Sequence, residues 1–245
     1  MDKGQILYLG QENISKGGET FMETSVSRSQ TGLMTRVFSW MFAGLSLTGI
    51  ISYLLISDSG AVQYFYQHSG VLFGLMIGEL ILVFFLAARV HKMAAGTATF
   101  CFFLYAALNG VTLSPLLYVY TPVSITQVFF ITAGMFGVFA LYGAVTKRDL
   151  SKLGNILFMA VIGLIIASIV NWFMQSSALY WAISYLGVII FCGLTAFDIQ
   201  KIKGIQDENM DEDTHTKTAI MGALALYLDF INMFIYLLRI LGNRD

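Results

Sequence analysis

Two aspartates near the C-terminal end lie inside apolar segments. Asp198 stands in Gly193-Leu194-Thr195-Ala196-Phe197-Asp198-Ile199-Gln200-Lys201-Ile202, and Asp229 in Ala225-Leu226-Tyr227-Leu228-Asp229-Phe230-Ile231-Asn232. A carboxylate in hydrocarbon is costly, so it usually faces a protein interior and usually has a task. Two carboxylates on successive apolar segments can share one proton and so respond to pH. Their oxygens are also what a hard divalent cation such as calcium takes as ligands. Asp198 and Asp229 are therefore a candidate proton-responsive pair and a transient cation site. Of the 15 acidic residues, only Glu79 joins them inside an apolar segment. Arg89, ten residues on, closes the same segment, and Asp198 lies near the end of its own. A common depth makes an Arg89–Asp198 ion pair between helices plausible. Glu79 is the candidate for an ion pathway.

These residues need a membrane-embedded scaffold. The chain has 245 residues, of which 57% are apolar and 12% charged, against roughly 25% charged in soluble domains. Seven apolar segments are long enough for the roughly 20 helical residues that a crossing requires: 33–56, 71–90, 95–118, 124–145, 153–174, 179–200 and 218–241. Strand alternation is absent, so the expected class is all-α, a polytopic seven-helix bundle over 31–245. Residues 1–30 read as a flexible cytoplasmic tail rather than a cleavable signal, being polar and mixed in charge.

Basic residues set the direction. Lys3, Lys16, Arg28, Arg36, Arg89, Lys92, Lys147, Arg148, Lys152, Lys201, Lys203 and Lys217 are 12 of the 14, and they fall on one side of the expected topology. The positive-inside rule makes that side cytoplasmic. The N-terminus is then inside and the C-terminus outside. Arg239 and Arg244 dissent, and a last segment that re-enters without crossing would explain them. An inner membrane is the expected location, with the endoplasmic reticulum as the alternative.

Other signals carry less. The net charge of −1 gives no electrostatic case for nucleic acid. Cys101 and Cys192 read as buried packing thiols. His68, His91 and His215 lie in connections or at span ends, without the i+4 partner that metal ligation favours. Asp207 to Asp213 resembles the start of an EF-hand loop. Glu212 stands where the turn needs Gly, however, and Thr218 where a bidentate Glu is needed. Pro115 is expected to kink the third span. Its consequence is either a packing kink or a freed carbonyl lining a polar pathway. Ala133 with Gly137, and Ala140 with Ala144, allow close helix approach. No lysine inside a span could hold retinal.

The segments Thr195-Ala196-Phe197-Asp198-Ile199-Gln200-Lys201-Ile202 and Leu226-Tyr227-Leu228-Asp229-Phe230-Ile231-Asn232-Met233-Phe234, the latter ending at Leu237-Leu238-Arg239-Ile240-Leu241-Gly242, resemble the Bax inhibitor-1 family. The resemblance covers roughly residues 30–242 and suggests a bacterial member. It implies a bundle with the last helix central, wrapped by two layers of three helices. It also implies a pH-controlled calcium leak. In that picture Asp198 and Asp229 sense protons, and Arg89 latches Asp198 when the pathway is closed. No cofactor is implied, and calcium is the transported ion. The loop from Gln206 to Lys217 is longer and more acidic than compact bacterial members suggest. A non-transporting regulator that binds a membrane-bound protease is the alternative role. An intramembrane aspartyl protease also uses two carboxylates on adjacent helices. Here Phe197 stands where such proteases carry Tyr before Asp, and the Gly-x-Gly before the second Asp is missing, so no enzyme is expected.

Overall fold

The computed structural model describes residues 32–205 and 210–244. The N-terminal tail and residues Asp207 and Glu208 of the acidic loop lie outside the described residues. Among the described residues, seven helices are long and apolar enough to cross a membrane. They are α1 (Gly32–Ser57), α3 (Ser69–Arg89, prolonged by a 3₁₀ turn Val90–Lys92), α4 (Ala95–Tyr118), α5 (Pro122–Val145), α6 (Ser151–Met174), α7 (Ser177–Lys203) and α8 (Glu212–Leu241). A short helix, α2 (Ser59–Gln67), fills the connection between α1 and α3. An isolated bridge between Tyr120 and Arg244 is the extended pairing recorded among the described residues. Helices are the expected solution, because hydrocarbon offers no partner for backbone N–H and C=O groups.

Six of the seven spans fall close to their expected bounds. The last does not: its helix begins at Glu212, six residues before the apolar segment starts. The reason is local chemistry. Arg36 Nη1 pairs with Glu212 Oε1 at 2.5 Å, Lys217 Nζ pairs with Asp213 Oδ2 at 2.7 Å, and Asp213 Oδ1 accepts the Ala95 amide at 2.9 Å. The acidic stretch expected as a loop to Lys217 is thus helical from Glu212 onward. α8 then runs unbroken to Leu241. Its end pairs with the α4–α5 turn, where Thr121 N donates to Asn243 O at 3.1 Å and Asn243 N to Ser124 Oγ at 2.8 Å. The last segment therefore crosses, and the re-entrant alternative is set aside.

α4, α7 and α8 are the most buried spans, whereas α3 and α6 present most of their surface outward. α8 packs against α4, α5 and α7 and also meets α1, where Val37 lies against Gly222. α3 leans chiefly on α4, and α6 on α7. Close approach is set by glycines other than those expected. A Cβ on Gly137 would meet nothing within 4 Å, whereas one on Gly143 would strike the backbone of Ala196 on α7. Only a glycine there lets α5 lie backbone to backbone on the turn of α7 that precedes Asp198.

Pro115 sits within a continuous α4. The carbonyl it frees, that of Val111, accepts the Ser114 hydroxyl at 2.8 Å. Its own carbonyl accepts the Tyr66 hydroxyl of α2 at 2.9 Å. Both oxygens thus have a donor within the protein.

Candidate functional site

α7 ends at the α5–α6 turn, and that turn fixes the height of Asp198. Gln200 Oε1 accepts the Leu150 amide at 2.8 Å, and Gln200 Nε2 donates to the Arg148 carbonyl at 2.8 Å. Lys203 Nζ reaches the Ala144 carbonyl at 2.6 Å. On the same turn Asp149 accepts from Ser151, whose hydroxyl and amide hold its carboxyl below the usual carboxylate range. Asp198 lies less than one helical turn inward of Lys201 and is half-buried. Asp229, on the face of α8 turned to α7, is only 4% exposed.

The structure brings these two carboxyls close enough to interact. Two carboxylates cannot hydrogen-bond unless one carries a proton. Asp229 Oδ2 is buried with no donor from the rest of the protein, and a proton shared with Asp198 would satisfy it. Thr195, one turn before Asp198, stands beside Asp229, while its own hydroxyl proton goes to the Phe191 carbonyl at 2.8 Å. Cys192 is buried and lies 3.9 Å from Met233 Sδ. Lys201 is a cation close enough to Asp198 to interact with it, and its ammonium sits 6.0 Å from the Phe197 ring centroid.

Arg89 is not part of this constellation. It is exposed at the end of α3, and among the described residues the ion pairs do not join it to Asp198. α3 packs chiefly on α4, while Asp198 lies where α7 meets α5, α6 and α8. A similar position along each apolar segment does not make two helices neighbours. The Arg89–Asp198 pair expected from depth is therefore not made in this arrangement.

Glu79 is a buried residue on an otherwise outward-facing α3. Its Oε1 accepts the Thr112 hydroxyl at 3.0 Å. Tyr105 lies near it and meets the Tyr227 ring edge-on, with centroids 5.8 Å apart. The Tyr227 hydroxyl is 2.7 Å from Thr48 Oγ1, which also reaches the Ala106 carbonyl at 2.8 Å. Asn109 Oδ1 is buried nearby on α4 without a partner. Sequence reasoning passed over Thr48, Tyr105, Thr112 and Tyr227. Tyr227 could have been found by helical geometry: two residues before Asp229, it must point to a different face of α8. Polar groups thus flank α8 on two sides.

No cluster of three or more His, Cys, Asp or Glu that could hold a metal occurs among the described residues. A resident calcium takes six to eight oxygens. The Asp198–Asp229 pair by itself offers fewer than that.

Residues 30–245 match the family model described as Inhibitor of apoptosis-promoting Bax1. The chain belongs to the Bax inhibitor-1 family. It is 48% identical over 225 residues to the inner membrane protein YbhL of Escherichia coli K12, covering 90% of this chain and 96% of that one. It is 42% identical over 212 residues to an uncharacterized protein of Deinococcus radiodurans, covering 86% of this chain and 90% of that one. A protein of Borreliella burgdorferi is 41% identical over 213 residues, with 86% and 91% covered. Seven apolar helices together with such relatives make this a multi-pass protein of the bacterial inner membrane.

Proposed function

We propose that this protein is a calcium leak pathway of the inner membrane whose opening follows the protonation of the Asp198–Asp229 pair. The observation that carries this reading is the closeness of the two carboxyls at the junction of α5, α7 and α8. Such a pair is a single titrating unit. Holding one proton, it is a hydrogen-bonded lock between α7 and α8. Losing it, the two like charges repel and offer their oxygens to a divalent cation. Calcium is the cargo and the proton the signal, and no cofactor takes part.

Glu79 supplies a second acidic station, on the opposite flank of α8. Arg89 is assigned a latch role that belongs to another placement of α3, one in which it reaches Asp198. In that state loss of the arginine leaves a desolvated carboxylate uncompensated, at a cost of about 3–5 kcal/mol.

The test is calcium flux into proteoliposomes holding the purified protein, measured across a pH series. The wild type is expected to carry calcium with a pH-dependent rate. Asp198→Asn and Asp229→Asn keep the shape of the pair and remove its shared titration, so each should flatten the profile. A wild-type protein that carries no calcium at any pH would overturn the reading.

A further inference from the structure

At the end of the bundle opposite the basic loops lies a cleft of about 460 Å³, lined among others by Tyr120, Asn171, Trp172, Tyr180, Arg239 and Arg244. We propose that this cleft binds a phosphate-bearing anion between Arg239 and Arg244, and that its occupant is the headgroup of an anionic phospholipid.

Charge is the first argument. Two guanidinium groups share the cleft, and no carboxylate among the described residues lines it. Arg239 is half-buried, yet among the described residues no hydrogen bond or ion pair takes up its donors. What faces it is the ring of Tyr180, with its centroid 5.8 Å away, and that of Tyr236 at 5.4 Å. Ring faces stabilise the cation without accepting its N–H groups as a carboxylate would. A guanidinium carries five donors in a planar fork that matches phosphate oxygens. Two like charges held side by side call for an anion between them.

Preorganisation is the second. Arg244 is placed by backbone, through its bridge to Tyr120 and the flanking hydrogen bonds of Asn243 to Thr121 and Ser124. Its Nη2 donates to Tyr180 Oη at 3.0 Å and to Tyr120 Oη at 3.4 Å, and it lies 5.5 Å from the Tyr120 ring centroid. Nη2 alone makes these bonds, so the other edge of the fork is left for a ligand. Across the cleft, Asn171 Oδ1 accepts the Ser176 amide at 3.0 Å, which leaves its NH₂ as a further donor.

Depth is the third argument, and it favours a lipid. Trp172, in the last turn of α6, and Trp181 and Tyr185, in the first turns of α7, are exposed at the same end of the bundle. Exposed Trp and Tyr mark the headgroup level of a bilayer, where lipid phosphates lie. This also accounts for Arg239 and Arg244, the two basic residues that break the positive-inside pattern: an anion site on the outer face needs cations there.

The test uses full-length protein in neutral detergent, titrated with phosphatidylglycerol, phosphatidylcholine or inorganic phosphate in separate arms and read by native mass spectrometry. Wild type is expected to hold one phosphatidylglycerol that Arg239→Gln/Arg244→Gln holds about tenfold more weakly, as loss of charged hydrogen bonds implies. Lys147→Gln/Arg148→Gln, at the opposite end, should hold it as wild type does. If inorganic phosphate shows that difference and the lipid does not, the anion site stands and the lipid occupant is overturned. Equal binding of every probe by wild type and the outer double variant overturns the site. A photoreactive phosphatidylglycerol on the wild type keeps the test independent of variant folding. Its label should map to residues 168–183 and 236–244, and labelling confined to other segments would sink the proposal.

Discussion

Asp229 and Glu79 are both buried carboxyl groups inside apolar spans, and they are served in opposite ways. Asp229 is turned toward a second acid, Asp198, on a helix pressed close by Gly143. Glu79 is turned toward hydroxyls, with Thr112 donating at 3.0 Å and Tyr105 nearby. A carboxyl with hydroxyl partners can take or lose its proton while its neighbours stay in place. A carboxyl whose partner is another acid cannot, because a proton shared between them would join the two helices. In the proposed mechanism the same residue class would make a passive station on one flank of α8 and a coupled switch on the other.

The largest effect expected is from prying the switch apart. Gly143→Ala places a methyl against the Ala196 backbone, where α7 cannot yield without moving Asp198. Overpacking of this kind costs about 1–3 kcal/mol. It should lower the melting temperature and distort the pH profile of flux together. A fully stable Gly143→Ala with an unchanged profile would show that the contact between α5 and α7 does not hold the pair.

Next in size is the coupling itself. Asp198→Asn/Asp229→Asn should change the pH profile little beyond either single variant, since a shared proton can be removed only once. Glu79→Gln should instead add to either aspartate variant, because its cluster faces another side of α8. If the aspartate effects add and the Glu79 effect does not, the roles of the two regions are reversed.

The smallest effect expected is on stability at Arg89. Its side chain is exposed, so Arg89→Ala should change unfolding free energy by no more than about 0.5 kcal/mol. A raised basal calcium leak at unchanged stability would place the latch in a second conformation of the bundle. Unchanged leak would remove Arg89 from the mechanism.

The spans were legible because apolar length is nearly the whole requirement for crossing a bilayer, and Asp198 and Asp229 stood out because of their cost in hydrocarbon. Helix neighbourhood was not legible. Arg89 and Asp198 look matched in sequence, yet α3 and α7 lie against different partners. Helix α2 was missed because Ser59–Gln67 is short and only partly apolar. The first turns of α8 were missed because Glu212, Asp213 and Lys217 read as solvated loop until Arg36 and the Ala95 amide are seen to bind them. Tyr105, Thr112 and Thr48 were silent since hydroxyls are common in spans, and only Glu79 beside them gives them meaning.

α8 is fastened at both extremities, to α1 and α4 by Arg36–Glu212 and Asp213–Ala95, and to the α4–α5 turn by Thr121–Asn243. Its 30 residues measure about 45 Å, the full thickness of a bilayer with its headgroups. A rod stayed at each end can neither slide like a piston nor lean by itself. In a thinner or thicker membrane, the mismatch must be met by tilt of the whole molecule or by deformation of the surrounding lipid. The outward-lying α3 and α6, chiefly attached along one side each, are then the parts free to yield, which makes them the elements through which lipid composition could act on the protein.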